Sequence, residues 1–493
     1  MTSCLTEEYP MNFRMIFKSL GMVLCIEALC MVPALMISSF SGQDDTMAFV
    51  ITILILVVVG LLMNKIKTVT TNIYSRDGFA IVALGWLMVS FFGALPFVLS
   101  GAIPSFIDAL FESVSGFSTT GATILKEIEG LPRGILFWRS FTHWMGGMGV
   151  LVLTLAILPS IKANTLHIMK AESPGPTPEK LVPKIKQTVK ILYFIYISLT
   201  VIHIIFLLTG GMSLYDSLIH AFGTAGTGGF SNRNLSVAAY NSAYIEVIIT
   251  VFMLLFGANF ALYYQVYKGN FKLIYKDEEL CFYVGIVATS IILITLNING
   301  RVVHSIWEAL RYSSFQVASI ITTTGYATAD FNLWPGFSKF VLLLLMFIGA
   351  SAGSTGGGIK CIRFLLLFKV AKREIFKIIH PRSVYTIKIG GNMVEEETLM
   401  GILTFFFLYI FIFIVSVLII SIEGKDIVTT ATSVVSAMGN IGPGLGAVGP
   451  IGNFSDFSVI SKAVLSLCMI FGRLEIYPLL LILTPTFWKR VNI

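Results

Sequence analysis

Charge is scarce in this chain of 493 residues: Asp, Glu, Lys and Arg make up 12%. A soluble globular protein carries about a quarter. With 56% hydrophobic residues and a mean hydropathy of +0.85, the deficit excludes a water-soluble domain and points to a polytopic membrane protein. Cysteine is also rare. The six are scattered at positions 4, 25, 30, 281, 361 and 468, and no Cys/His spacing resembles a metal site or a disulfide framework. No GxGxxG follows a strand-like run, so a nucleotide-binding domain is not expected on this chain. The nearest approach to a phosphate loop is "AGSTGGGIK", residues 352–360. There Gly353 and Gly358 have the right separation, but Ile359 stands where the lysine is needed and no strand precedes it.

Long apolar runs are what the chain does have. Roughly 20 apolar residues span a bilayer as a helix. Candidate spans lie near 15–38, 47–65, 78–100, 134–160, 186–210, 242–267, 280–298, 338–373, 396–422 and 459–487. The first runs on into the second without a convincing small-residue cleavage site and reads as an anchor, not a removable signal. The net charge of +7 suggests nucleic acid only until its placement is read. Of 34 Lys and Arg residues, 24 fall within 14–18, 65–76, 162–190, 268–276, 360–388 and 489–490, the termini and alternate loops. The opposite side is sparse in base and holds Asp44, Asp45, Glu127 and Glu129. The positive-inside rule then places both termini in the cytoplasm and leaves no role for nucleic acid.

A repeat runs through the apolar pattern. "SIITTTGYATADF", residues 319–331, is a polar run around Gly325 between apolar segments. "FSTTGAT" around Gly121, "GTGGFS" around Gly229 and "GNIGPG" around Gly442 occupy the same place in three other segments. Successive glycines are 108, 96 and 117 residues apart. Each follows a short, moderately apolar stretch, so the unit is span, short helix, glycine-centred loop, span. The short helices carry start signals: Ser105 with Asp108, Ser213 with Asp216, Ser305 with Glu308, and Asp426 alone. Ser305 lies four residues earlier relative to its glycine than the others, about one extra helical turn.

Such short helices cannot cross a bilayer and must enter and return. Irregular backbone at membrane depth is tolerated only when buried in protein or lining water. The helix C-termini lead into the loops, so the negative ends of four helix dipoles face whatever occupies the centre. Four such ends, with carbonyls above them, favour a dehydrated cation and predict a selectivity filter.

On "SGFSTTGAT", "HWMGGMGV", "TTTGYATADFNLWP", "GASAGSTGGGIK" and "FGRLEIYP", the chain resembles the Trk/Ktr/HKT superfamily of potassium transport proteins, most of all its bacterial Trk branch. The resemblance covers nearly the whole chain, and the two spans before the first repeat suit Trk better than Ktr. It implies an all-α membrane protein with four tandem repeats in pseudo-fourfold arrangement after two extra helices. The implied divisions are 1–76 for the N-terminal pair, then repeats 77–165, 166–276, 277–390 and 391–493. The implied K⁺ filter is Thr119, Thr120 and Gly121; Thr227, Gly228 and Gly229; Thr323, Thr324 and Gly325; Asn440, Ile441 and Gly442. Some plant relatives with sodium preference carry serine at the first glycine, so Gly121 favours potassium. Glycine also lets four backbones approach one axis with no Cβ in the way.

Residues 338–373 as one helix would run about 54 Å, nearly twice the hydrocarbon thickness. A break at 349–358 is therefore expected, with the loop inside the protein. The resemblance implies that this loop is a gate beneath the filter, comprising Gly353, Ser354, Thr355, Gly356, Gly357, Gly358 and Lys360 together with Arg473. Arg473 is a candidate in its own right, because intramembrane charge is costly. A pore-facing role is preferred over a structural pair, for which Glu112 is one possible partner; Glu475, two residues on, points elsewhere. Arg139, His143 and Trp144 read as an interfacial anchor that snorkels.

The function this implies is K⁺ uptake through a gated pore in the bacterial inner membrane, with no enzymatic activity and no organic cofactor. Its alternative is a secondary transporter coupling K⁺ to H⁺ or Na⁺, which commonly uses titratable residues near the midplane. The filter motifs contain none. The family pairs such a homodimeric pore with a separate TrkA-like cytoplasmic ring binding NAD(H) or ATP/ADP. The basic segments 162–190 and 360–388 are its expected docking surfaces.

Overall fold

The computed structural model describes residues 11–68, 73–149, 185–383 and 385–488. An N-terminal pair, α1 (Phe13–Ser41) and α2 (Thr46–Asn64), lies side by side. Next come α3 (Ser75–Gly93) with its extension α4 (Leu95–Leu99), the short α5 (Phe106–Phe117) and α6 (Arg133–Gly147). The second unit is α7 (Ile185–Thr209), short α8 (Leu214–Ala225), α9 (Ala243–Phe256), α10 (Phe260–Tyr267) and the single turn α11 (Lys272–Lys276). The third is α12 (Glu278–Ile298), short α13 (Ile306–Ile321), α14 (Gly336–Phe347) and α15 (Cys361–Ile379). A two-rung antiparallel hairpin, β1 (Lys388–Ile389) and β2 (Asn392–Met393), leads to α16 (Glu396–Ser421) and short α17 (Ile427–Gly439). The described chain closes with α18 (Val459–Arg473), α19 (Tyr477–Leu483) and α20 (Pro485–Trp488).

The start signals of the short helices act as their chemistry requires. Ser213 accepts the Asp216 N–H over 3.0 Å and Asp426 the Thr429 N–H over 2.9 Å, while Ser105 reaches the Asp108 N–H at 3.5 Å. Ser305 departs from expectation: it is the N-cap residue of α13, but its side chain makes no cap bond. At 16 residues α13 exceeds the 12 of α5 and α8, the extra turn that its sequence offset predicted.

Not every candidate span is one continuous helix. Among the described residues, six helices are long and apolar enough to cross a membrane, and one bent pair brings that to seven. The second helix of each unit stops early. The break in 338–373 falls between Phe347 and Cys361, where length required one. The breaks in 242–267 and 459–487 were unexpected. At the first, α9 and α10 meet at 91°. The break survives at membrane depth because its backbone groups are satisfied from elsewhere in the chain. Ser351 N–H donates to the Gly257 carbonyl (3.0 Å), Thr355 Oγ1 to the Phe256 carbonyl (3.2 Å), and Phe260 N–H to the Gly353 carbonyl (3.1 Å). At the second break, Glu475 and Ile476 adopt φ of 56° and 71°, which stops the helix. In 134–160, α6 ends at Gly147 and the residues from 150 on lie outside the described residues, as does most of the basic segment 162–190.

The largest buried apolar cluster joins α1, α3, α5, α6 and α18, so the N-terminal pair is sealed onto the first and last units. The short helices α5, α8, α13 and α17 are packed among the longer ones, α13 within two further apolar clusters. Their C-terminal ends converge on the four glycine loops.

Candidate functional site: a ring of glycine loops above an intramembrane loop

The four loops share one backbone conformation. Each short helix is followed, within two residues, by one with left-handed φ: Thr119 (57°), Thr227 (54°), Thr323 (58°) and Asn440 (55°). The following N–H turns back onto the helix: Thr120 to the Ser115 carbonyl (2.9 Å), Gly228 to Gly223 (2.8 Å), Thr324 to Ser319 (2.8 Å) and Ile441 to Ser436 (2.9 Å). The glycine then takes positive φ again, 77°, 77°, 82° and 98° at Gly121, Gly229, Gly325 and Gly442.

Those glycines pack against one another in a closed cycle. A Cβ on Gly121 would lie 1.9 Å from the Gly228 carbonyl oxygen; on Gly229, 2.0 Å from that of Thr324; on Gly325, 2.0 Å from that of Ile441; and on Gly442, 2.7 Å from that of Thr120. Each loop touches the next in chain order and the fourth returns to the first. Both the φ angles and the close approach exclude a side chain. All twelve residues expected at the filter therefore lie in this one ring, where Gly121, Gly229 and Gly325 are partly exposed.

A second cycle holds the mouth above. Ile128 N–H donates to Asn234 Oδ1 (2.9 Å), Ala238 N–H to the Ala327 carbonyl (3.2 Å), Gly446 N–H to Asn332 Oδ1 (3.0 Å), and Phe454 N–H to the Thr123 carbonyl (2.8 Å). The mouth is a cavity of about 220 Å³ that touches all four glycines. Three cations on its wall are matched by carboxylates: Lys126 with Asp456 (3.0 Å), Arg233 with Glu129 (3.9 Å) and Arg139 with Glu112 (2.6 Å). The Lys126 ammonium holds the exposed Asp456 carboxyl below the usual carboxylate range.

Arg139 corrects the interfacial-anchor reading. It does not snorkel but is 2% exposed, paired with the wholly buried Glu112, with its guanidinium 3.5 Å from the Phe230 ring centroid. Glu112 also accepts Thr123 Oγ1–H (2.9 Å) and Ile124 N–H (3.0 Å), just beyond Gly121. His143 is buried against Phe230 with Nδ1 2.7 Å from the Gly116 carbonyl. Glu112 is thus taken by Arg139 and not by Arg473.

Beneath the ring lies the loop between α14 and α15. A parallel bridge between Ile348 and Ile359 closes its neck, with Gly349 N–H on the Ile359 carbonyl (2.7 Å) and Cys361 N–H on that of Ala350 (3.1 Å). Its tip reaches the ring: Gly357 N–H donates to Thr323 Oγ1 over 2.7 Å, and a Cβ on Gly357 would lie 2.7 Å from the Gly439 carbonyl. Lys360, almost wholly buried, turns its ammonium back onto the Gly356 carbonyl. Arg473 sits where the loop meets the first unit. It donates to the Thr355 carbonyl (2.8 Å), to the Gly147 carbonyl at the end of α6 (2.8 Å), to that of Gly146, and to Thr119 Oγ1 (3.3 Å). The gate residues expected from sequence are therefore contiguous, directly under the glycine ring.

Sequence reading missed the partners of that assembly. Arg363 is buried and paired with Glu475 across the break between α18 and α19, with its guanidinium 3.9 Å from the Phe405 ring centroid. Asn440, where the other repeats have threonine, donates to Thr120 Oγ1 (3.0 Å) and to the Met469 carbonyl (2.8 Å). A charge inside an apolar run at 139, 363 or 473 is the signal that was available.

The family model described as TrkH, cation transport protein, matches residues 43–489. The chain is 38% identical over 485 residues to the Trk system potassium uptake protein TrkH of Salmonella typhimurium, covering 97% of this chain and 100% of that protein. It is 33% identical over 482 residues to the Trk system potassium uptake protein TrkG of Escherichia coli K12, covering 97% and 99%. The crystal structure of the potassium transporter TrkH from Vibrio parahaemolyticus superposes with a TM-score of 0.87 at 35% identity, covering 97% of this chain and 100% of that one. With relatives this similar from end to end, the chain belongs to the TrkH family of cation transport proteins.

Proposed function

We propose that this protein carries K⁺ into the cell through a gated, channel-like pore whose filter is the ring of Gly121, Gly229, Gly325 and Gly442. The supporting observation is the closed cycle: four glycines of equivalent conformation, each against the backbone carbonyl of the next loop. Backbone oxygens and hydroxyls with no titratable group suit a dehydrated monovalent cation, and the short helices direct their negative ends at it. In this reading the units 77–165, 166–276, 277–390 and 391–493 are four pseudo-equivalent quarters, and 1–76 is an accessory pair. The loop Gly353–Gly358, with Lys360 and Arg473, is the gate.

Two further parts belong to the proposal. The protein works as a homodimer in the bacterial inner membrane with both termini cytoplasmic, and a TrkA-like ring binding NAD(H) or ATP/ADP controls the gate. α15 is the docking element, because it runs from the gate loop to an end where Ile375, Ile378 and Ile379 are exposed among basic residues. The competing reading, obligatory coupling of K⁺ to H⁺ or Na⁺, lacks a titratable group in the ring. Reversal potential in liposomes separates the two. Passive permeation puts it where the K⁺ and Na⁺ gradients, weighted by their permeabilities, balance, whatever the pH gradient; a reversal that moves with the pH gradient at fixed K⁺ and Na⁺, or that follows a fixed K⁺:Na⁺ stoichiometry, overturns the channel reading.

A further inference from the structure

α12 opens on three consecutive acids, and each has a different partner. Asp277 caps the helix by accepting the Leu280 N–H over 2.7 Å. Glu278 pairs with the Lys369 ammonium on α15 and accepts the Gly390 N–H of the β-hairpin over 3.2 Å. Glu279 points the other way. Its side chain is buried, and one oxygen, Oε1, accepts two backbone N–H groups: Ala352 at 2.6 Å and Ile362 at 3.2 Å. These two amides bracket the loop. Ala352 precedes Gly353, and Ile362 follows the neck that closes at Ile359 and Cys361.

We propose that Glu279 is the clamp of the gate, a positioning residue that holds the two ends of the loop at one spacing so that its tip stays under the glycine ring. The proposal rests on reading this loop as a gate. Three features support it. The neck has only a few backbone rungs, and Gly349, Gly353, Gly356, Gly357 and Gly358 give the segment little stiffness of its own. A carboxylate accepting two N–H bonds in a site shielded from water makes stronger bonds than a neutral acceptor. And the clamp is placed to be worked from outside. Glu278 ties the same helix start to α15 and to the hairpin, so a pull on either is transmitted through one residue to the loop ends. Release of both amides lets the neck widen and the tip withdraw from Thr323.

The test is K⁺ flux through purified protein in liposomes, with no regulatory partner present. Glu279→Gln keeps shape and size, and its amide oxygen can still accept both N–H groups, but the charge that strengthens those bonds is gone. Basal flux should rise about tenfold, the effect of weakening one charge-assisted bond. The K⁺/Na⁺ permeability ratio should not change, since the ring is untouched. Amide exchange at Ala352 and Ile362 should quicken. A packing role alone predicts less protein or less flux, never more flux at unchanged selectivity. Asp44→Asn, an exposed acid in the turn between α1 and α2, serves as the surface control. If the glutamine variant does not assemble, Glu279→Asp, which draws the oxygen back by one methylene, should raise flux in the same direction. Shortening Gly353–Gly358 separates the two levels of the argument. If shortening raises flux and the Glu279 variants do not, the clamp is wrong. If shortening does not raise flux in assembled protein, the loop is no gate and the clamp has nothing to hold.

Discussion

Arg139 and Glu112 form an ion pair of 2.6 Å with both side chains sealed from solvent, and Glu112 also holds the backbone just past Gly121. Removing one partner leaves an uncompensated buried charge, at a cost of about 3–5 kcal/mol. Arg139→Met and Glu112→Leu should each sharply lower the thermal unfolding temperature in detergent. The double variant should recover much of the loss. A double variant as unstable as the worse single one would show that the pair does more than neutralise itself.

Substitution at the ring should weaken K⁺ selectivity in a graded order. A side chain in left-handed backbone costs roughly 1–2 kcal/mol, about a tenfold effect if expressed in permeation. Gly121→Ser, Gly229→Ser and Gly325→Ser also drive a Cβ to within 2.0 Å of a neighbouring carbonyl, whereas at Gly442 the approach is 2.7 Å. Gly442→Ser should therefore be the mildest of the four in K⁺/Na⁺ permeability. Unchanged ratios in well-folded Gly121→Ser and Gly325→Ser protein would remove the ring from the filter.

Arg473 presents two effects that a pair of variants divides. In the proposed pore its fixed charge would repel a passing cation: at an effective dielectric of 20, like charges about 8 Å apart repel by roughly 2 kcal/mol, up to a thirtyfold barrier. As a fork it ties Thr355 to Gly146, Gly147 and Thr119. Arg473→Ala should increase single-channel conductance and open probability together. Arg473→Lys keeps the charge but cannot reach all four acceptors. It should raise open probability alone. A lysine variant with wild-type gating would limit Arg473 to its charge.

At the mouth, Asp456→Asn leaves the Lys126 ammonium unpaired beside the entrance. The pair is exposed, so stability should hold. K⁺ conductance should fall at low ionic strength and recover near 1 M salt, where the Debye length drops from about 10 Å to about 3 Å. Acid should mimic the variant. The Asp456 carboxyl is held low by Lys126, so the pair stays charged at neutral pH and is lost only as pH falls below the ordinary carboxylate range. Conductance that is insensitive to Asp456→Asn at low salt would show that this pair lies off the ion path.

Much of the site was legible from sequence because its requirements are local. A glycine in left-handed backbone, a serine or aspartate at a helix start and a span too long for one helix each declare themselves within a few residues. Gly121, Gly229, Gly325 and Gly442, the caps at Ser213 and Asp426, and the break before Cys361 are of that kind. The contrast is at Phe256–Phe260 and Arg473–Tyr477, where apolar runs read as single helices. Those breaks are held by Ser351, Gly353 and Thr355 in the first case and by left-handed backbone beside Arg363 in the second.

The sequence by itself determined that four equivalent loops exist and what backbone each must adopt, because φ preference and helix length are properties of short segments. Only the tertiary structure decided which charges meet. Arg139 found Glu112, Arg473 found four oxygens around the loop and Glu279 found two amides on either side of it. A buried charge must be paired wherever the fold brings a partner within hydrogen-bond reach. That reach is set by how helices far apart in the chain pack, which no local pattern encodes.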